Sequence, residues 1–153
     1  MTYLLDVNVL VVLHQSRHTD FSTVQHWFEM RPRLSFATCP ITQLAMVRIL
    51  MRQLPDLDQF RVDEAREALR RLTSRPGHEF WSDEPQYLDA TNTVVKRMQG
   101  HRQTTDAYLL GLAVFNKGKL ATLDRGIVYL AGNEYSGHVE LIEPGTKSRG
   151  RQL

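Results

Sequence analysis

The apolar positions of this chain fall into two rhythms, and the switches between them mark its elements. Tyr3 to Leu13 is a nearly unbroken hydrophobic run with a single acid, Asp6, inside it. Buried parallel strands read as continuous apolar stretches, so the pattern predicts a strand from Thr2 to about Asp6. A short helix from Asn8 to His14 follows, with Asn8 as its cap. Ser16 to Asp20 is polar and predicts a loop. Phe21, Val24, Trp27 and Phe28 recur at helical spacing, which predicts an amphipathic helix from Phe21 to Met30, ended by Arg31-Pro32-Arg33. Leu34 to Thr38 predicts a strand. Pro40-Ile41-Thr42-Gln43 opens a helix with Leu44, Val47, Leu50 and Met51 on its apolar side, broken at Leu54-Pro55-Asp56-Leu57.

Val62 to Thr73 predicts a charged helix with Ala65, Leu69 and Leu72 inward, and Ser74-Arg75-Pro76-Gly77 a turn. His78 to Trp81 predicts an edge strand. Tyr87 to Met98 reads as one helix with Leu88, Val94, Val95 and Met98 apolar, ended by Gly100. Another helix opens at Gln103-Thr104-Thr105-Asp106 and closes at Asn116-Lys117-Gly118, where the glycine is expected to supply the cap. Lys119 to Leu123 predicts a strand, Asp124 to Leu130 a short helix, and Gly137 to Ile142 the last strand. Strands alternating with helices, without repeat or linker, imply an α/β layered domain with a mainly parallel sheet.

Composition narrows the function classes only a little. A chain of 153 residues, 42% hydrophobic and 24% charged, suits one soluble domain with one core. No apolar run reaches the roughly 18 residues of a membrane span, and the opening lacks the basic start and cleavage site of a secretory signal. The single cysteine, Cys39, excludes an intrachain disulfide and a cysteine-rich metal site, and fits a reducing cytoplasm. A net charge of +2 permits contact with nucleic acid without requiring it. The six histidines show no zinc-ligand spacing, and His78 and His101 are expected at the surface.

The acids change the picture. An unpartnered carboxylate inside an apolar strand is strongly unfavourable, so Asp6 is expected at the carboxyl end of its strand, facing a crevice. Asp124 follows another strand, and Asp106 lies in the first turn of a helix. Loops at the carboxyl ends of parallel strands lie together, which can bring the three to one edge. Clustered carboxylates repel unless a divalent cation neutralises them, and oxygen-only ligands suit magnesium or manganese. Asp106 and Asp124 also stand where an acid serves simply as a cap or a partner of the helix dipole. That reading stays open from spacing alone.

LLDVNVL at the start, TTDAYLL in the middle and LATLDRG late resemble, in order and spacing, the first, third and fourth acidic motifs of PIN-domain ribonucleases. The chain is similar in particular to the VapC toxins of bacterial type II toxin–antitoxin modules, and CPITQLAMVRIL and PGHEFWSDE resemble one subgroup of them. The resemblance runs from Tyr3 to about Pro144. It implies a three-layer α/β/α PIN-like domain over residues 1–145, with a basic, frayed tail at 146–153. It also implies a magnesium-dependent endoribonuclease, with manganese as a possible substitute ion, cleaving tRNA or mRNA. A cognate VapB-like antitoxin and a homodimer are the partners it implies. Carried over by motif, Asp6, Asp106 and Asp124 form the acidic metal site, with Asn8, Thr105 and Thr122 as supporting polar residues.

One position departs from the pattern. Where PIN domains usually carry a Glu at the start of the helix after the second strand, this chain has Gln43. An amide oxygen still ligates a hard cation but adds no charge, so a second ion is held less firmly. Glu79, Asp83 and Glu84 are candidates to substitute. Arg48, Arg102 and Arg125 are candidates to hold RNA phosphates against the repulsion of the acids, or are solvated surface charge. The stripes at Phe21, Trp27 and Phe28 and at Leu44 to Met51 are either core or a groove for the antitoxin. A catalytically weakened PIN-like domain that only binds RNA or protein is the alternative, and an unrelated α/β hydrolase using the same acids is a third.

Overall fold

Strand residues here must satisfy two faces at once, and that sets the layering. The structure, a computed structural model, describes residues 1–144; the tail at 146–153 lies outside the described residues. Strands β1 (Thr2–Leu5), β2 (Ser35–Thr38), β3 (His78–Phe80), β4 (Lys119–Thr122) and β5 (Val139–Leu141) form one sheet in the order β3-β2-β1-β4-β5. Every neighbouring pair is parallel. Side chains alternate across a strand. Leu4, Ala37 and Leu120 therefore enter one core cluster, and their neighbours Leu5, Phe36 and Ala121 enter the other.

Helices α1 (Val7–Val12), α2 (Phe21–Glu29), α3 (Pro40–Leu50) and α4 (Val62–Thr73) cover the face of Leu5. Helices α5 (Tyr87–Thr91), α6 (Thr104–Phe115) and α7 (Arg125–Ala131) cover the face of Leu4. The result is the expected three-layer α/β/α sandwich around a parallel sheet. Helix α6 is buried from Ala107 through Ala113, as a helix that is apolar all round must be. Among the described residues no helix is long and apolar enough to cross a membrane.

Four expectations are corrected. The helix expected from Tyr87 to Met98 stops at Thr91, and a separate 3-10 turn covers Val95–Arg97. Only Val94 of its apolar set is fully buried, while Leu88 and Val95 face solvent. Leu44 also faces solvent; Ala45, Met46 and Leu50 form the buried side of α3. Asp6, not Asn8, caps α1, its Oδ1 accepting from the Val7 N–H at 2.7 Å.

At the end of α6 the left-handed residue is Lys117, at φ 55°, not the glycine. Gly118 N–H reaches Ala113 O at 2.9 Å and Lys117 N–H reaches Val114 O at 3.0 Å, the paired bonds of a Schellman turn. Gly118 is required for another reason: a Cβ there would stand 2.6 Å from both Thr2 O and the Trp81 ring.

Candidate active site

The strand order reverses beside β1. Through α1 and α2 the chain passes from β1 to β2 on one side; through α5 and α6 it passes from β3 to β4 on the other. Loops leaving the carboxyl ends of β1 and β4 thus part around one crevice, the place where open parallel sheets bind ligands. Asp6 is the first residue after β1, Asp124 is the second after β4, and Asp106 lies in the first turn of α6. Together with Asn8 and Thr105 they line one cleft of about 500 Å³.

Thr122, fully buried at the end of β4, joins the two strand ends. Its hydroxyl is 2.6 Å from Asp6 Oδ2, 3.0 Å from the Asp124 backbone nitrogen and 3.4 Å from Asn8 Nδ2. A hydroxyl has one proton and two acceptor positions. The two N–H groups fill the acceptor positions, so the proton goes to Asp6. Asn8 closes the ring, its Oδ1 accepting from the Leu123 N–H at 3.3 Å. Asp124 caps α7 through Gly126 N–H at 2.7 Å. Capping and site-lining therefore coexist at Asp6 and Asp124.

The electrostatics follow from burial. Asp6 is 4% exposed. Desolvation raises its pKa, against the Thr122 and Val7 hydrogen bonds, and the charge of Asp124 adds to the rise. Asp106 is pushed up to about 6, first by burial and then by the charges of Asp6 and Asp124. Two carboxylates are thus held away from their ordinary ionisation in one cleft, the condition that a bound cation relieves. Apart from the His18 ring, the lining polar groups are oxygen donors, or amides that offer oxygen, which suits a hard ion. Among the described residues no three His, Cys, Asp or Glu side chains are gathered closely enough to close around one ion. The donor set fits a cation that keeps part of its water shell and takes one or two carboxylates, as magnesium does.

The other residues singled out from sequence lie elsewhere. Gln43 Nε2 donates to Thr38 Oγ1 at 2.9 Å, and Thr38 also meets His78 Nε2 at 2.8 Å. Gln43 and the half-buried His78 line a separate groove between α3, α4 and β3. Glu79 is held by Thr2, Ser35 and Trp81, and neither it nor Asp83 nor Glu84 lines the acid cleft. Arg48 and Arg102 are exposed and unpaired among the described residues; Arg125 pairs with Glu143. Trp27 and Phe28 are core. Val11, Val12 and, within CPITQLAMVRIL, Ile49 also line the cleft, which is completed by four residues that carry no motif: His18, Asp20, Leu54 and Leu57. Their signal in the sequence is only a polar loop and a helix break.

The description of the PIN domain matches residues 3–133. The chain is 39% identical over 133 residues to Ribonuclease VapC29 of Mycobacterium tuberculosis, covering 87% of this chain and 93% of that one. It is 34% identical to Ribonuclease VapC38 of the same organism, covering 91% and 96%. In fold it is similar to a chain in the crystal structure of VapBC2 from Rickettsia felis bound to a DNA fragment from their promoter. That likeness has a TM-score of 0.57 at 16% identity over 81% of this chain and 89% of that one. With the switch-point cleft, the acid motifs and these relatives in agreement, the chain belongs to the PIN-domain family, among its VapC-like ribonucleases.

Proposed function

We propose that this chain is the toxin of a type II toxin–antitoxin pair, a magnesium-dependent endoribonuclease working in the cytoplasm on a single-stranded stretch of tRNA or mRNA. The observation that supports it most directly is the single cleft at the sheet's switch point that Asp6, Asp106 and Asp124 all line. Asp6 and Asp106 would hold the ion, and Asp124 completes the acidic ring. Such an ion, with manganese as a substitute, lowers the pKa of a water and offsets charge on a phosphoryl oxygen. Thr122 aims Asp6 by giving it the hydroxyl proton, and Asn8 fixes Thr122. Water adds to phosphorus as the bond to the 3′-oxygen breaks; a 5′-phosphate and a 3′-hydroxyl result, and the water's proton passes to the departing oxygen or to solvent. Arg102, just ahead of α6, and Arg48 are the free cations that the phosphates would meet, and Arg125 joins them on leaving Glu143.

A VapB-like antitoxin would silence the cleft, and the chain would work as a homodimer. Gln43 adds no charge where a Glu is usual, so one firmly held ion, rather than two, would serve the site. The test is expression in a bacterial host: wild type arrests growth and Asp6→Asn relieves the arrest, with purified wild type cleaving RNA only when magnesium or manganese is supplied. Arrest that persists in Asp6→Asn would show a binding function instead. Turnover of a small phosphate ester with no RNA cleavage would show an unrelated hydrolase.

A further inference from the structure

The acid cleft has a second half that the acids do not use. Beyond Val7, Val11, Val12 and Leu123 of the acid-bearing segments, Ile49, Leu54 and Leu57 add apolar wall to the same cavity, and His18 and Asp20 line it as well. Leu54 and Leu57 belong to the segment between α3 and α4, which has no regular structure to fix it. It is fixed by Gln15. That side chain is 2% exposed. Its Nε2 donates to Asp58 O at 2.9 Å, and its Oε1 accepts from the Asp58 N–H at 3.0 Å. Phe60 N–H anchors the far end on Leu50 O at 2.8 Å. A buried amide whose two ends both grip one backbone residue makes the wall rigid before anything binds, which lowers the ordering cost of binding.

The polar groups in the cleft have a defined sense. His18 Nδ1 accepts from the Asp20 N–H at 3.0 Å. In the neutral ring the proton then sits on Nε2, so His18 presents a donor, and the Asp20 carboxylate beside it is an acceptor. An apolar wall in one cavity with a donor and an acceptor suits the face and polar edge of a nucleobase, which unpaired RNA exposes. The wall lines the same cavity as the acids, so a strand held there by its phosphate brings a neighbouring base to it.

We propose that Ile49, Leu54 and Leu57, pinned by Gln15, are a nucleobase subsite: an unstacked base of the RNA strand lies on them, with His18 and Asp20 at its polar edge, and so selects where the strand is cut. This rests on the nuclease reading, and two measurements keep the two apart. The first compares kcat and KM of wild type, Leu57→Ala, Leu54→Ala and His18→Ala on short single-stranded oligoribonucleotides that differ in the base next to the cleaved bond. The leucine variants raise KM about tenfold, the scale of losing the buried methylenes of one apolar contact, with kcat nearly unchanged. His18→Ala flattens the preference among the four bases, while His18→Gln, which keeps a donor near the Nε2 position, restores part of it. Leu57→Met, which keeps the apolar surface, stays close to wild type and shows that lost folding is not the cause.

The second measures binding of a fluorescent oligoribonucleotide to Asp6→Asn and to Asp6→Asn with Leu57→Ala. A loss of about tenfold in the double variant supports the subsite even if no cleavage is ever seen, in which case only the nuclease reading falls. Cleavage that keeps its base preference and KM in the leucine and His18 variants overturns the subsite and leaves the nuclease standing. Variants that weaken capture of an antitoxin peptide but not of RNA also overturn it, and assign the wall to a protein partner.

Discussion

Thr122 Oγ1 lies 2.6 Å from Asp6 Oδ2, joining the ends of two strands that are 116 residues apart in sequence. All three positions of that hydroxyl are in use, the proton on Asp6 and the two acceptor positions on Asn8 and the Asp124 backbone N–H. Thr122→Val keeps the shape and removes the bond. It leaves a buried carboxylate with one partner fewer, a cost of about 1–3 kcal/mol. The expected outcome is a lower urea midpoint with an unchanged slope and RNA cleavage reduced at least tenfold. Thr122→Ser should recover most of both. Full activity in Thr122→Val would show that Asp6 does not depend on this residue.

The raised carboxyls carry a signed prediction for pH. Asp106 shifts from an ordinary 3.8 in the unfolded chain to about 6 in the fold. Between those values the folded protein binds more protons than the unfolded one, so stability falls as pH rises through that window and then levels off. Asp6 shifts in the same direction and adds to the fall. Asp106→Asn lacks its share of this loss. In metal-free buffer its melting temperature should gain on that of wild type between about pH 4 and about pH 7, with no further gain above that. A gap that is the same at both ends of the window would remove Asp106 from the cause.

Divalent ions should reverse that loss. An ion that binds only the folded cleft stabilises it by mass action, about 2.7 kcal/mol at a hundred times the dissociation constant. For a domain of this size that is a rise of roughly 5–10 °C in melting temperature. Magnesium or manganese at neutral pH should therefore raise the wild-type melting temperature and raise it much less in Asp106→Asn. Calorimetric titration of both proteins checks the same point without heating.

Gln43 offers a contrast. Its amide links to Thr38, and through that hydroxyl to His78, rather than to the acid cleft. Gln43→Ala should cost about 1 kcal/mol of stability, the typical worth of one such bond, while leaving the magnesium-induced rise in melting temperature intact. Loss of that rise would show that the side chain turns into the cleft when an ion is present.

The end of α6 separates two effects that sequence alone confounds. Lys117 holds the left-handed conformation and Gly118 the tight contact. Lys117→Gly should stabilise by about 0.5–1 kcal/mol, because glycine adopts that conformation without penalty. Gly118→Ala should destabilise by about 1–3 kcal/mol through its clash with Thr2 and Trp81. Thermal melts of the two variants should move in opposite directions.

Where sequence and structure agree or part has a physical pattern. The strands are legible because both faces of the sheet are buried: Leu4 and Leu5 must each be apolar, so their run stands out. The three acids are legible because each follows a strand or opens a helix within a motif. Less legible is what tertiary contact decides. Leu44 is as apolar as Met46, yet only Met46 meets the core. Just past the end of the helix at Thr91, the Tyr135 hydroxyl donates to Thr93 Oγ1 at 2.7 Å from across the fold, a contact that no local pattern announces. The walls around the acids come from a loop and a helix break, where spacing carries no period. Gln15, which organises one of those walls, sits among polar neighbours that look like plain surface.

Because β4 completes the crevice that β1 begins, no early portion of the polypeptide holds a finished site. A product of interrupted translation that ends before Lys119 has Asp6 but neither Thr122 nor Asp124 to meet it. Such fragments carry only one side of the crevice. The acid cleft is therefore a late product of synthesis, complete only once β4 has been made and has paired with β1.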